Sequence, residues 1–156
     1  MGAGRHDNGD GGAVDSRAPH VLLVEDDPGD ALLAREAFEQ SRAPCHLHVA
    51  SDGEEAIGFL RRTSPWEMAP RPGLILLDLN LPGRGGLNVL AEIKADPDLK
   101  TIPVVVLTTS RAPDDILRSY QLHTNAYLIK PAGFDRFIDA IHKVDEFFLA
   151  LIQRPA

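Results

Sequence analysis

Asp78 closes the apolar run Leu74-Ile75-Leu76-Leu77, and three other apolar runs lead into polar groups of complementary kinds. Glu25 and Asp26 follow Val21-Leu22-Leu23-Val24, Thr108 follows Val104-Val105-Val106-Leu107, and Lys130 follows Ala126-Tyr127-Leu128-Ile129. If the runs are parallel strands of an open α/β sheet, these groups meet at one edge, because such sheets bind ligands outside the carboxyl ends of their strands. Three carboxylates gathered there repel one another unless a cation shares the space or one of them keeps its proton. Magnesium suits the site, since it takes a few carboxylate oxygens together with waters and phosphate oxygens. Glu25, Asp26 and Asp78 are its candidate ligands, with the backbone carbonyl of Asn80 as a further oxygen. Asp78 is then the candidate nucleophile toward phosphorus, as carboxylates are in forming aspartyl phosphates. Thr108 and Lys130 would engage the phosphoryl oxygens, by hydrogen bond and by charge respectively.

Positioning these groups requires a regular alternation of strands and helices, and the chain has it. From Val21 onward, short aliphatic runs alternate with segments of helical period, which predicts five βα units and a doubly wound parallel sheet of the α/β class. Asp27-Pro28 is suited to start the first helix, Asp as cap and Pro at the first helical position, with Leu32, Leu33, Ala34, Ala37 and Phe38 facing inward. Ser51 to Glu55 resembles a capping box ahead of a second helix, whose inward residues are Ala56, Ile57, Phe59 and Leu60. Residues 79–86 form a loop by their Pro and Gly content, and Arg84-Gly85-Gly86 predicts that it is flexible. The nearly all-β-branched segment Pro103–Leu107 reads as a central strand buried on both faces. On the last helix, Phe134, Phe137, Ile138, Ile141, Val144, Phe148 and Ile152 make one apolar stripe at 100° per residue. Phe147 and Leu151 fall to one side of it, an apolar excess that suggests a partner contact. Residues 1–19 are rich in Gly, Asp and Arg without apolar periodicity and read as a flexible tail; residues 20–152 make the domain, and residues 153–156 a short C-terminal tail.

With 156 residues the length fits one domain able to bury an adequate core. The net charge of −7 is the wrong sign for a protein that binds nucleic acid by neutralising phosphates. No apolar stretch approaches the ~18 residues of a membrane span, and the N-terminus carries no apolar signal-peptide core, so the expected location is the cytoplasm. The single cysteine, Cys45, has no internal disulfide partner and reads as a small hydrophobe beside Leu47. His46 and His48 share a strand face, where a zinc site would need a third ligand that the sequence does not make evident.

Val24-Glu25-Asp26-Asp27-Pro28, Leu77-Asp78-Leu79-Asn80-Leu81-Pro82 with Gly86 beyond, Leu107-Thr108-Thr109-Ser110 and Tyr127-Leu128-Ile129-Lys130-Pro131 resemble the successive motifs of response regulator receiver domains. The resemblance implies a flavodoxin-like (βα)5 fold with strand order 2-1-3-4-5. It also implies a two-component signalling protein without its own output domain, in which Asp78 accepts phosphate from a histidine kinase and which assists its own phosphotransfer and dephosphorylation. By the same resemblance, Glu25 and Asp26 bind Mg2+, Thr108 and Tyr127 are a switch pair, Lys130 contacts the phosphoryl group, and Lys130–Pro131 is a cis peptide. The stretches Ile102–Ser110 and Ser119–Tyr127 are similar to stand-alone regulators that partner bacterial phytochrome kinases, which implies a kinase of that type and a homodimer using Phe147 and Leu151. Thr109, larger than the Ala or Gly frequent in the family, would narrow phosphoryl access. Two other classes fit a strand-end aspartate less well. A magnesium-dependent phosphohydrolase would want a carboxylic acid where Asn80 stands, and a flavin-binding module would want a hydroxyl-rich loop where Glu25-Asp26-Asp27 stands.

Overall fold

Each apolar run becomes a strand and each helical-period segment a helix. The strands are β1 (His20–Val24), β2 (His46–Ala50), β3 (Leu74–Leu77), β4 (Val104–Thr108) and β5 (Ala126–Ile129). They alternate with α1 (Pro28–Glu39), α2 (Gly53–Arg61), α3 (Gly86–Ala95), α4 (Pro113–Gln121) and α5 (Phe134–Ile152). The computed structural model describes residues 18–40 and 45–152, with side chains through Phe147. Apart from Ala18 and Pro19, the expected terminal tails at 1–19 and 153–156 therefore lie outside the described residues, as do the side chains of Phe148, Leu151 and Ile152.

All strands are parallel, in the order β2-β1-β3-β4-β5, so the flavodoxin-like topology holds. The chain leaves β1 toward β2, then crosses back to β3 on the other side, and the crevice for a ligand opens at that reversal. Val24 pairs with Leu77 across it, which brings Glu25 and Asp78 out of the sheet side by side.

Two apolar layers sandwich the sheet. One face carries Leu22, Val24, Ile75, Leu77, Val104 and Val106 against α2 and α3; the other carries Val21, Leu23, Leu74, Leu76, Val105 and Leu107 against α1 and α5. Because β3 and β4 are buried at every residue, alternation gives way to continuous aliphatic runs. Cys45 packs at the edge of the α1/α5 layer, and burial, followed by the charge of Asp145, pushes its thiol up to about 12, so it behaves as the hydrophobe expected.

The helix starts follow the capping residues. The Asp27 carboxylate accepts from the Gly29 N–H at 2.9 Å, and Pro28 takes the first helical position. Before α2 the cap is Asp52, which accepts from the Glu55 N–H at 2.8 Å, while Glu55 reaches back to the Ser51 N–H at 2.7 Å. Two residues of the expected apolar stripes face outward. Leu32 is 57% exposed, because Ala34, Ala37 and Phe38 define the buried arc of α1 and Leu32 lies off it. Phe134 is 52% exposed, because Phe137, Ile138 and Ile141 define the buried arc of α5 and Phe134 precedes it.

The third imidazole that the sequence did not make evident is His20. It pairs in register with His46 on β2, stacks on both His46 and His48, and shares a hydrogen bond between its Nδ1 and His48 Nε2 at 2.9 Å. Phe59 of α2 leans against His48. Among the described residues, the group of acidic, His and Cys side chains close enough to share a metal is Glu25, Asp26 and Asp78, so the histidines form a stack instead of the zinc site considered. Burial, then the neighbouring His20 and His46 and the charge of Arg35, lower the pKa of His48 to about 4. A folded pKa below the unfolded value of about 6.5 means that His48 adds stability above pH 6.5 and loses it as pH falls from there toward 4. Urea unfolding in magnesium-free buffer between pH 7.5 and 4.5 should therefore show a steeper acid loss for the native chain than for His48→Asn. Equal pH slopes in the two proteins would refute the linkage.

Candidate functional site

The sheet edge gathers the polar groups. Glu25 is held at the end of β1 by its N–H donating to the Ala50 carbonyl at 2.9 Å, and Asp78 at the end of β3 by its N–H donating to the Val24 carbonyl at 3.1 Å. Lys130, at the end of β5, donates its N–H to the Thr108 carbonyl at 2.7 Å. Its side chain runs back over the sheet edge into the acidic crevice, where Nζ lies 2.6 Å from Glu25 Oε1 and 2.9 Å from Asp78 Oδ2. A third carboxylate, Asp30 Oδ2, lies 2.8 Å from the same nitrogen. Sequence reading missed Asp30. The signal was its place as the acidic residue in the first turn of α1, just after the loop that carries Glu25 and Asp26.

Burial and pairing set the charges. Burial raises the Glu25 carboxyl to about 7, against the opposing pull of Lys130 and the Asp27 N–H. Asp78 is also buried, yet the Asn80 N–H donating to its Oδ1 at 2.9 Å, together with Lys130, holds its pKa below the ordinary value. Burial alone would lower Lys130, but its hydrogen bonds to Asp30, Glu25 and Asp78 outweigh that and hold it well above the usual range. Lys130 therefore stays an ammonium and Asp78 a carboxylate, which is the nucleophilic form.

Carboxylate oxygens of Glu25, Asp26 and Asp78 come within 4.8 Å of one another. All three are hard donors, and the exposed Asp26 leaves one side open to water. That set fits a divalent cation that keeps part of its hydration shell. Asp27, one residue on, is occupied as the cap of α1.

Thr108 is fully buried and its Oγ1 accepts from the Ser110 N–H at 3.3 Å. Tyr127 donates its hydroxyl proton to the Ser110 carbonyl at 2.9 Å. The two expected switch residues thus hold opposite ends of Ser110. The Asn80 carboxamide donates to Thr109 Oγ1 at 3.0 Å, which ties Thr109 to the loop that follows Asp78.

Two expectations are corrected. Lys130–Pro131 is trans, and the cis bond among the described residues is Ser64–Pro65. The trans form is favoured by about 0.5–1 kcal/mol before proline, and in it Lys130 already reaches its three carboxylates. The loop after Asp78, expected to be flexible, is tied down. Arg84 pairs with Glu92 of α3 and with Glu54 of α2, its carbonyl accepts from Asn88, and the Gly86 N–H donates to the Leu79 carbonyl at 3.0 Å.

Residues 21–142 match the response regulator receiver domain. The chain belongs to this family. It is 46% identical over 136 residues to the response regulator Rcp1 of Synechocystis sp., spanning 87% of this chain and 92% of that protein. The crystal structure of the phosphorylated cyanobacterial phytochrome response regulator RcpA superposes with a TM-score of 0.84 at 45% identity, over 89% of this chain and 99% of that one. The Mn2+-bound form of Rcp1 gives a TM-score of 0.83 at 45% identity, over 88% and 99%. The receiver domain is thus a signalling component of a two-component phosphorelay, with a sensor histidine kinase as partner and a divalent-cation pocket at its acidic edge. The phosphohydrolase alternative finds no support in these relatives, and position 80 offers a carboxamide where that enzyme would need an acid.

Gly86 shows how tightly the backbone around Asp78 is packed. A Cβ there would fall 2.4 Å from both the Asp78 carbonyl oxygen and Leu79 Cα, backbone atoms that cannot swing away. Gly86→Ala should destabilise the domain by about 1–3 kcal/mol, the scale of overpacking, in a urea titration. A midpoint equal to that of the native chain would show that the loop yields at no cost.

Proposed function

We propose that Asp78 is the phosphoacceptor of this receiver domain. The observation that carries the reading is the meeting of Asp78 with Glu25, Asp26 and Lys130 at one sheet edge, with Asp78 kept ionised and Lys130 kept charged. A carboxylate oxygen of Asp78 attacks the phosphorus of a phosphohistidine on the kinase. The new O–P bond forms as the P–N bond breaks, the electron pair goes to the imidazole nitrogen, and that nitrogen takes up a proton. Glu25, Asp26, Asp78 and the Asn80 carbonyl would hold Mg2+, which when bound would supply charge neutralisation to the transferring group. Lys130 contacts the new phosphoryl oxygens, and Thr108 turns its hydroxyl toward them. Because Thr108 and Tyr127 share Ser110, that turn alters the hydrogen bonds around Tyr127 and passes the change to the β4–α4 surface. Hydrolysis of the acyl phosphate by water returns Asp78 to its carboxylate, slowly, since Asn80 provides no general acid.

The relatives named for phytochrome signalling support a phytochrome-type sensor kinase as donor. The net charge of −7 disfavours direct binding to nucleic acid, and no helix among the described residues is long and apolar enough to cross a membrane, in keeping with a cytoplasmic place of work. Phe147, 39% exposed on α5, supports homodimerisation through that helix about a twofold axis, with Leu151 as its proposed neighbour in the contact.

Incubation with acetyl phosphate and magnesium should add one phosphoryl group to the native chain and none to Asp78→Asn, read by intact mass. Incorporation persisting at the native level in Asp78→Asn would move the acceptor elsewhere. For the dimer, sedimentation should show the native chain associating at micromolar concentration and Phe147→Glu remaining monomeric. A native chain that is monomeric both with and without a phosphoryl mimic would rule out the α5 interface.

A further inference from the structure

Every polar group of Ser110 is engaged, and by different elements. Its N–H donates to Thr108 Oγ1 of β4 at 3.3 Å, its carbonyl accepts from the Tyr127 hydroxyl of β5 at 2.9 Å, and its own hydroxyl donates to Asp115 Oδ2 of α4 at 2.5 Å. The Ser110 hydroxyl oxygen also accepts from the Ala112 N–H at 3.3 Å. Together the last two contacts serve as a helix cap. Ala112, at the cap position of α4, makes no side-chain hydrogen bond to the helix, and Pro113 follows it. The Ser110 hydroxyl and the Asp115 carboxylate close the turn in its place, with the carboxylate in the first turn, where the helix dipole favours it.

These bonds can shift as a unit. A hydroxyl donates one proton and also accepts through its oxygen, so Thr108 can give its proton to a phosphoryl oxygen while Oγ1 keeps the Ser110 N–H. No contact has to break. A displacement of Oγ1 toward the crevice is then imposed on Ser110, and the Ser110 hydroxyl hands it to Asp115. That last bond is the strongest of the three, because a hydroxyl donating to a carboxylate is charge-assisted. Asp115 also stands close to the Tyr127 hydroxyl: burial raises the phenol against the pull of its bond to Ser110, and the charge of Asp115 adds to the rise. Tyr127 therefore keeps the proton that it donates to Ser110. Beyond Asp115, Leu117 and Tyr120 stand exposed on the same helix.

We propose that Asp115 is a positioning residue which, through the hydroxyl of Ser110, fastens the first turn of α4 to Thr108 and Tyr127, so that α4 follows whatever moves that pair. A cap alone would steady α4 by the same amount whether or not Asp78 carries a phosphoryl group. A link makes the state of α4 depend on it. The proposal deepens the reading of Asp78 as the phosphoacceptor and rests on it.

Amide hydrogen exchange of α4 tests it, in the native chain, Asp115→Ala and Ser110→Ala, each with magnesium alone and with magnesium and beryllofluoride as the phosphoryl mimic. Fluorine NMR verifies that the mimic is bound. With magnesium alone, the first-turn amides of α4 should exchange about fivefold faster in both variants, the scale of a lost cap. On adding beryllofluoride the α4 amides of the native chain should change rate and those of the variants should not, while Asp115→Ala still takes one phosphoryl group from acetyl phosphate. Asp115→Glu, which keeps the carboxylate, should restore part of the response. Variants that exchange faster yet keep a beryllofluoride-induced change of native size would reduce Asp115 to a cap and overturn the proposal, as would a native α4 that does not respond to the bound mimic. A native chain that binds no beryllofluoride at all would instead overturn the reading of Asp78 as acceptor, and the proposal with it.

Discussion

The structure depends on one electrostatic constraint, the confinement of Glu25, Asp26, Asp30 and Asp78 around a single ammonium at the edge of an apolar sheet. Like charges this close, half of them buried, destabilise any arrangement that does not bring a cation among them. Lys130 supplies one positive charge and leaves the cluster negative overall. That deficit suits the pocket to a divalent cation, whose charge would offset the remainder.

Holding those charges in register is the task of the rest of the molecule. β1 and β3 carry their acids because Val24 and Leu77 are partners in the sheet, and the sheet does not slip because aliphatic side chains lock both of its faces. Gly86 lets α3 approach the Asp78 backbone, and Arg84 straps the intervening loop to α2 and α3. Lys130 comes from the opposite edge, at the end of β5, with β3 and β4 between it and β1. The ammonium thus crosses the site from β5 to reach β1, α1 and β3 at once. A change in what it binds is felt in three elements, which is the kind of lever a signalling domain requires.

A second consequence concerns the surface around Ser110. Its N–H and carbonyl are engaged by Thr108 and Tyr127, and its hydroxyl donates to Asp115 of α4. The buried end of this chain, Thr108, borders the acidic crevice, while Leu117 and Tyr120 stand exposed on α4. Hydrogen bonds thus run from Thr108 through Ser110 to Tyr127 and to Asp115 on the helix whose outer face is apolar.

The sequence by itself determined the βα alternation, the helix caps at Asp27 and before α2, and the strand-end placement of Glu25, Asp26, Asp78, Thr108 and Lys130. These follow from periodicity and from turn and cap chemistry, which act over a few residues, and the receiver motifs carried the topology. What tertiary structure alone decided required knowing which distant elements touch. Asp30 reads locally as an ordinary acid in a helix's first turn, and only the approach of Lys130 from 100 residues away makes it part of the site. His20 joins His46 and His48 only through sheet register. The glycines at 85 and 86 read as a flexible loop until the ion pairs of Arg84 and the packing of Gly86 hold it, and Lys130–Pro131 is trans where the motif implied cis. Leu32 and Phe134 kept helical spacing yet face solvent, because the width of a buried arc is set by what packs against a helix and not by the helix alone. Local rules place groups along an element; the long-range contacts that form when the elements close on one another decide which of those groups share a charge.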